Sequence, residues 1–155
     1  MRIILACVIV VSFFILGCSR VKEEKKSTEH ALSIQLDRNI TIAGLTWYTH
    51  VESGYTRAKE EHKNVIIMVG EDSCRWCTKM KKGTLTDKRI MKMLQHYVLV
   101  SIKRSDKEAI KYVPEFDGKI PSFFFMNHNK ELIEPVVGYF KADDFLTYMK
   151  EIEEI

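Results

Sequence analysis

Val65-Ile66-Ile67-Met68-Val69 is an unbroken apolar run, and the turn after it holds two cysteines in the spacing Cys74-Arg75-Trp76-Cys77. An apolar run this short, without alternation, reads as a strand buried on both faces, as in a sheet covered by helices. Thr78 to Lys82 reads as helix up to Gly83, so the cysteine pair opens a helix directly after a buried strand. That strand–thiols–helix order constrains the rest of the chain to a layered α/β arrangement.

The flanking segments agree. Val51, Tyr55 and Ala58 give one apolar stripe to a helix over about Ser53–Lys63. Helix resumes after Thr86, with Ile90, Met91 and Leu94 on one side, and Tyr97 to Ile102 is the next strand. Asp106 to Val113 reads as a short helix stopped by Pro114. Ser122 to Met126 is a strand with its turn at His128-Asn129-Lys130. Leu132 to Val137 returns as an edge strand, because Pro135 cannot donate to a ladder. Asp143 to Glu154 places Phe145, Leu146, Met149 and Ile152 along one helical face, with Asp143 and Asp144 in the first turn, where the helix dipole favours acids. Helices thus alternate with a parallel core that closes on an antiparallel hairpin. Ahead of it, Leu32, Ile34, Leu36, Ile40 and Ile42 fall at even positions, broken by Asp37 and Arg38, and suggest an extended strand or hairpin.

At 155 residues with 46% apolar and 29% charged composition, the chain suits one compact domain and excludes a collagen-like, a mainly disordered or a polytopic membrane protein. A net charge of +3 is small for a protein that neutralises many phosphates, so no nucleic-acid partner is expected. The amino terminus needs its own reading. Arg2 precedes an apolar stretch from Ile3 to Leu16, interrupted only by Ser12, too short to span a bilayer and suited to a signal segment. Ile15-Leu16-Gly17-Cys18 resembles the lipobox of bacterial lipoproteins, which implies cleavage after Gly17 and acylation of Cys18. Arg20 to His30, with interleaved Lys and Glu, reads as a solvated tether. The expected organisation is a signal peptide over 1–17, an anchored tether and extension over 18–44, and a folded domain over 45–155. Cys7 leaves with the signal and Cys18 carries lipid, so only Cys74 and Cys77 remain in the exported domain.

A C-x-x-C pair serves metal binding as well as sulfur exchange. Zinc needs two further ligands, and His50, His62, His96 and His128 stand singly with no ligand spacing. A copper site would have to recruit Met80, Met91 or Met93, residues that more often fill cores. No metal or other cofactor is expected. At a helix start, unpaired backbone N–H groups and the dipole favour a thiolate on the first cysteine, and Arg75 adds a cation. Cys74 is therefore the candidate nucleophile and Cys77 the resolving thiol.

Taken together, these residues resemble the thioredoxin superfamily, in particular its exported branch. Leu45-Thr46-Trp47 followed by Ala58-Lys59-Glu60-Glu61-His62-Lys63 looks like that branch's opening, Gly118-Lys119-Ile120-Pro121-Ser122 like its cis-proline loop, and Gly138 like the glycine ending its last strand. The resemblance spans about Leu45 to Ile152. It implies an α/β thioredoxin-like fold, a central mixed sheet flanked by helices, here with an N-terminal strand extension. It also implies a cis Ile120–Pro121 bond beside the sulfurs, and an Ile120 backbone free to pair with an extended substrate. Arg75 and Trp76 would support the site, Trp76 either by contacting a partner or by packing on the loop. The implied activity is extracytoplasmic thiol–disulfide oxidoreduction on protein substrates of a bacterial envelope, by a lipid-anchored monomer facing the periplasm or the exterior. Departures accompany the matches: Ser73 stands where thioredoxin has Trp, Met68 where it has a buried proton-relaying carboxylate, and about Leu99 where it has that acid's lysine partner.

Two signals bear on the direction of electron flow. Stabilising the Cys74 thiolate raises the reduction potential toward oxidants, whereas an isoleucine before the proline resembles the reductases of the superfamily. The reading leans to reduction or exchange. The alternative is a non-catalytic copper or cytochrome-maturation chaperone that uses the same thiols.

Overall fold

A computed structural model describes residues 39–155. The signal segment, Cys18, the tether and the apolar positions Leu32, Ile34 and Leu36 lie outside the described residues. The elements are β1 (Asn39–Ile42), β2 (Leu45–Tyr48), α1 (Val51–Glu61), β3 (Val65–Gly70), α2 (Arg75–Lys82), a 3-10 turn (Thr84–Thr86), α3 (Lys88–Leu94), β4 (Val98–Lys103), α4 (Lys107–Ile110), β5 (Ser122–Met126), β6 (Leu132–Val137) and α5 (Ala142–Glu153). They form one six-stranded mixed sheet in the order β1-β2-β4-β3-β5-β6. β4 runs parallel to β2 and β3, while β1/β2, β3/β5 and β5/β6 are antiparallel. No described helix is long and apolar enough to cross a membrane.

β3 lies between β4 and β5 and is buried at all six positions. Its side chains still alternate between faces. Ile66 and Met68 join a core with α2, α3 and α5; Val65, Ile67 and Val69 join one with α1 and α4. The N-terminal extension is a hairpin, β1 pairing with β2 through a turn in which Ala43 and Gly44 both take positive φ. Trp47 on β2 is fully buried, and its indole N–H donates to the Ile42 carbonyl at 3.3 Å. β6 is the edge strand, with Pro135 opposite Phe124.

Three elements differ from the sequence expectation. α1 begins at Val51, two residues before the expected Ser53, because the buried Val51 anchors its first turn. The helix over Asp106–Val113 is confined to Lys107–Ile110. Asp106 caps it by accepting from the Glu108 and Ala109 N–H groups, and the residue before Pro114 is disfavoured in helical geometry, so the chain turns away early. The single turn Thr84–Thr86 has no period to announce it and is fixed by tertiary bonding, the Thr84 hydroxyl donating to the Phe140 carbonyl at 2.5 Å.

Candidate active site

α2 starts at the end of β3, and Cys74 is its N-cap residue. The first turn of any helix carries N–H groups without intrahelical acceptors. Here one of them, that of Cys77, donates to the Cys74 sulfur at 3.0 Å. The same cysteine's carbonyl accepts from the Thr78 N–H at 3.1 Å. Cys74 and Cys77 are joined as a disulfide with Cα atoms 5.2 Å apart. The two sulfurs are not equivalent: Cys77 is 1% exposed, while Cys74 is half-buried and forms the outer member of the pair. Gly70, the last residue of β3, backs the inner one; a Cβ there would stand 3.5 Å from the Cys77 sulfur, so bare main chain abuts the resolving position. α2 has no acid in its first turn, and Lys79, Lys81 and Lys82 lie in its last.

The Ile120–Pro121 peptide is cis. Its loop is pinned on both sides: the Ser122 hydroxyl donates to the Lys119 carbonyl at 2.6 Å, and the Gly138 N–H donates to the Pro121 carbonyl at 2.8 Å. Gly138 holds that position at φ +114°, a conformation L side chains rarely adopt. Among the described residues, Ile120 itself makes no hydrogen bond.

A groove of about 590 Å3 joins these parts, lined by Trp76, Ile120, Pro121, Val137, Tyr139 and Arg104 among others. The structure therefore brings Trp76, Ile120 and Pro121 to one surface, with the disulfide flanking Trp76 in the chain. Trp76 is 48% exposed, yet its ring rests on Tyr139 with centroids 5.2 Å apart. It packs and faces outward at once. Arg75 and Lys79 both lie over the Trp76 ring, at 5.8 and 5.1 Å from its centroid, and Lys79 is also 4.7 Å from that of Tyr139. Tyr139 and Arg104 were not among the residues the sequence singled out as supporting the site. Tyr139 could have been suspected from following Gly138; Arg104 reaches the groove from the end of β4, and only tertiary structure places it there.

The positions that depart from thioredoxin are apolar in fact. Met68 is fully buried and Leu99 is 4% exposed, both in the core beneath α2. The buried polar side chains among the described residues are Thr84, Ser101 and Ser122; no acid is buried. Glu71 turns away to accept from the Ser105 and Asp72 N–H groups, and the Ser105 side chain, aided by these N–H groups, holds its carboxyl below the usual range. Asp72 is likewise lowered by its Lys103 partner. These acids line a separate cavity of about 600 Å3 that neither cysteine borders.

No group of three or more His, Cys, Asp or Glu able to hold a metal occurs among the described residues. Met80 is fully buried in the core, and the end of Met91 lies against the turn at Gly44, so both serve packing. His50 and His62 occupy the two caps of α1.

The DsbH-type thioredoxin family model, described as a protein of unknown function (DUF255), matches residues 29–119. Spermatogenesis-associated protein 20 of Homo sapiens is 25% identical over 111 residues, covering 65% of this chain but 14% of that protein. The chain thus spans a small fraction of this relative's length. Among solved structures, the oxidised C-terminal domain of Neisseria meningitidis DsbD matches 68% of this chain and 97% of its own at 20% identity and a TM-score of 0.56. The disulphide isomerase of Xylella fastidiosa matches 66% of this chain and 88% of its own at 16% identity and a TM-score of 0.58.

Proposed function

The chain belongs to the DsbH-type thioredoxin family, and from that premise we propose that it is a thiol–disulfide oxidoreductase of the bacterial envelope, lipid-anchored through Cys18, that reduces or exchanges disulfides of envelope proteins. The observation that carries this reading is the asymmetry of the pair: a half-buried Cys74 whose sulfur caps a helix, and an enclosed Cys77 sulfur one turn on.

In the reduced protein the Cys74 thiolate is the better acceptor for the Cys77 N–H and is favoured by the positive end of α2. It attacks one sulfur of a partner disulfide. A Cys74–partner S–S bond forms, the partner bond breaks, and the partner's second sulfur leaves as a thiolate that takes a proton from water. Cys77 then loses its proton and attacks Cys74. The mixed disulfide breaks, the second partner sulfur leaves and is protonated, and the Cys74–Cys77 disulfide remains. Two electrons have passed to the partner, and a dithiol donor returns them for the next cycle. Ile120, with its backbone groups uncommitted beside the groove, suits pairing with an extended partner segment. With Met68 and Leu99 apolar and no acid buried among the described residues, deprotonation of Cys77 falls to water or to the departing thiolate.

Paired cysteine variants test the proposal. Cys74→Ser brings reduction of insulin disulfides to the background rate, and Cys77→Ser accumulates mixed disulfides in cells, with envelope proteins recovered in the membrane fraction. Undiminished turnover by Cys74→Ser would overturn the exchange chemistry; capture confined to cytosolic proteins would overturn the location.

A further inference from the structure

The groove beside the disulfide is aromatic and aliphatic inside but cationic around. Arg104 lines it, with its guanidinium donating to the Gly118 carbonyl at 3.3 Å and no carboxylate among the described residues within ion-pair distance. Arg75 and Lys79 cover the ring of Trp76, and neither has a carboxylate partner among the described residues. The nearby acids already have partners, Asp117 at the groove itself through the lining Lys119. Asp72 holds Lys103, and Glu71 is bound to backbone N–H groups facing the other cavity. The surface thus offers uncompensated positive charge around an apolar trough, and the chain as a whole is close to neutral at +3, so this polarity is local.

We propose that the groove selects, as its occupant, an extended segment of an oxidised partner protein whose disulfide is flanked by acidic residues. This rests on the oxidoreductase reading above and names its substrate class. The apolar residues beside the partner cysteine occupy the trough along Ile120, Pro121 and Val137. Flanking carboxylates meet Arg104 of the lining and the Arg75–Lys79 pair that covers the Trp76 ring. Guanidinium and ammonium groups already lying on aromatic rings are partly ordered, so a carboxylate pairs with them at reduced cost in side-chain freedom. Opposite charge also accelerates encounter, by about 10- to 1,000-fold for focused fields, and the gain falls as salt shortens the screening length to about 3 Å at 1 M.

The test uses the reduced full chain and two disulfide-containing peptides of identical apolar sequence, one flanked by glutamates and one by lysines. A small uncharged aromatic disulfide serves as the reference. The expected result at low salt is an acidic-to-basic rate ratio of at least about tenfold that falls toward one in 1 M NaCl. Arg104→Glu and Lys79→Glu each lower the ratio, and the double variant inverts it. The ratio is internal to each protein, so it is independent of the active fraction. Reduction of both peptides at equal rates in low salt, or a ratio that the charge reversals leave unmoved, would refute the selectivity while leaving the oxidoreductase intact. If neither peptide nor the reference disulfide is reduced, the underlying activity falls and the inference with it.

Discussion

Beneath α2, α3 and α5 the sheet is covered by long or aromatic side chains, Met68, Met80, Phe123, Phe125 and Phe145 among them. On the reverse, under α1 and α4, the filling is mostly β-branched: Val51, Val65, Ile67, Val69, Val98 and Val100. The reverse face is thin because α1 presents Gly54 and Ala58 to it; a Cβ at Gly54 would stand only 2.5 Å from Val100 Cγ2. The disulfide-bearing helix instead rides on a layer filled by tilted rings, Phe123 lying 4.9 Å from Phe145 at an interplanar angle of 54°. One face supports a helix whose start must meet partners. The other is a close-fitting backing that fixes where β3 ends, and hence where Cys74 begins.

Removing the deep layer has the largest expected effect. Phe123→Ala empties a fully buried position and should cost about 3–5 kcal/mol, read as a lowered urea midpoint with little change in slope. The thin face responds to the opposite change. Gly→Ala within a helix ordinarily gains up to about 1 kcal/mol, but Gly54→Ala drives a methyl into the stiff side chain of Val100 and should destabilise by about 1–3 kcal/mol. Adding Val100→Ala should recover part of that loss; a Gly54→Ala protein more stable than wild type would show that the close fit is not there. The smallest effect concerns how α3 is held on the deep face. Asp87 caps α3 and pairs with Arg89, which also reaches Asp143 on α5. The Arg89 contacts pull the Asp87 carboxyl down to about 2, from an ordinary 3.8. A folded value below the unfolded one means that its contribution is complete above about pH 4 and is lost as the pH falls toward 2. Asp87→Asn should therefore lower the melting temperature by a few degrees at pH 7, and the difference from wild type should close by about pH 2.

Much of this was legible in the chain because burial on both faces leaves a one-dimensional trace. β3 is apolar throughout and β5 is apolar after Ser122, and the α5 positions Phe145, Leu146, Met149 and Ile152 are all buried as their spacing indicates. The cysteine pair at the start of α2 was equally plain, since strand, thiols and helix are contiguous. Less could be read where distant segments decide. The 3-10 turn at Thr84–Thr86 depends on a bond to Phe140. The surroundings of Trp76 depend on Tyr139 and Lys79, and Arg104 carries no motif at all. Contacts that specify the chemistry lay within one turn of the sequence. Those that shape the groove are assembled from β4, the cis-proline loop and the end of β6.

The placement of the two tryptophans makes the molecule its own optical gauge. Trp47 is sealed in the core, whereas Trp76 sits inside the covalent ring that Cys74 and Cys77 close. An adjacent S–S bond quenches an excited indole by accepting its electron, so opening that bond brightens Trp76 while Trp47 supplies a constant background. Ultraviolet emission then follows the electron balance of the unlabelled protein in real time.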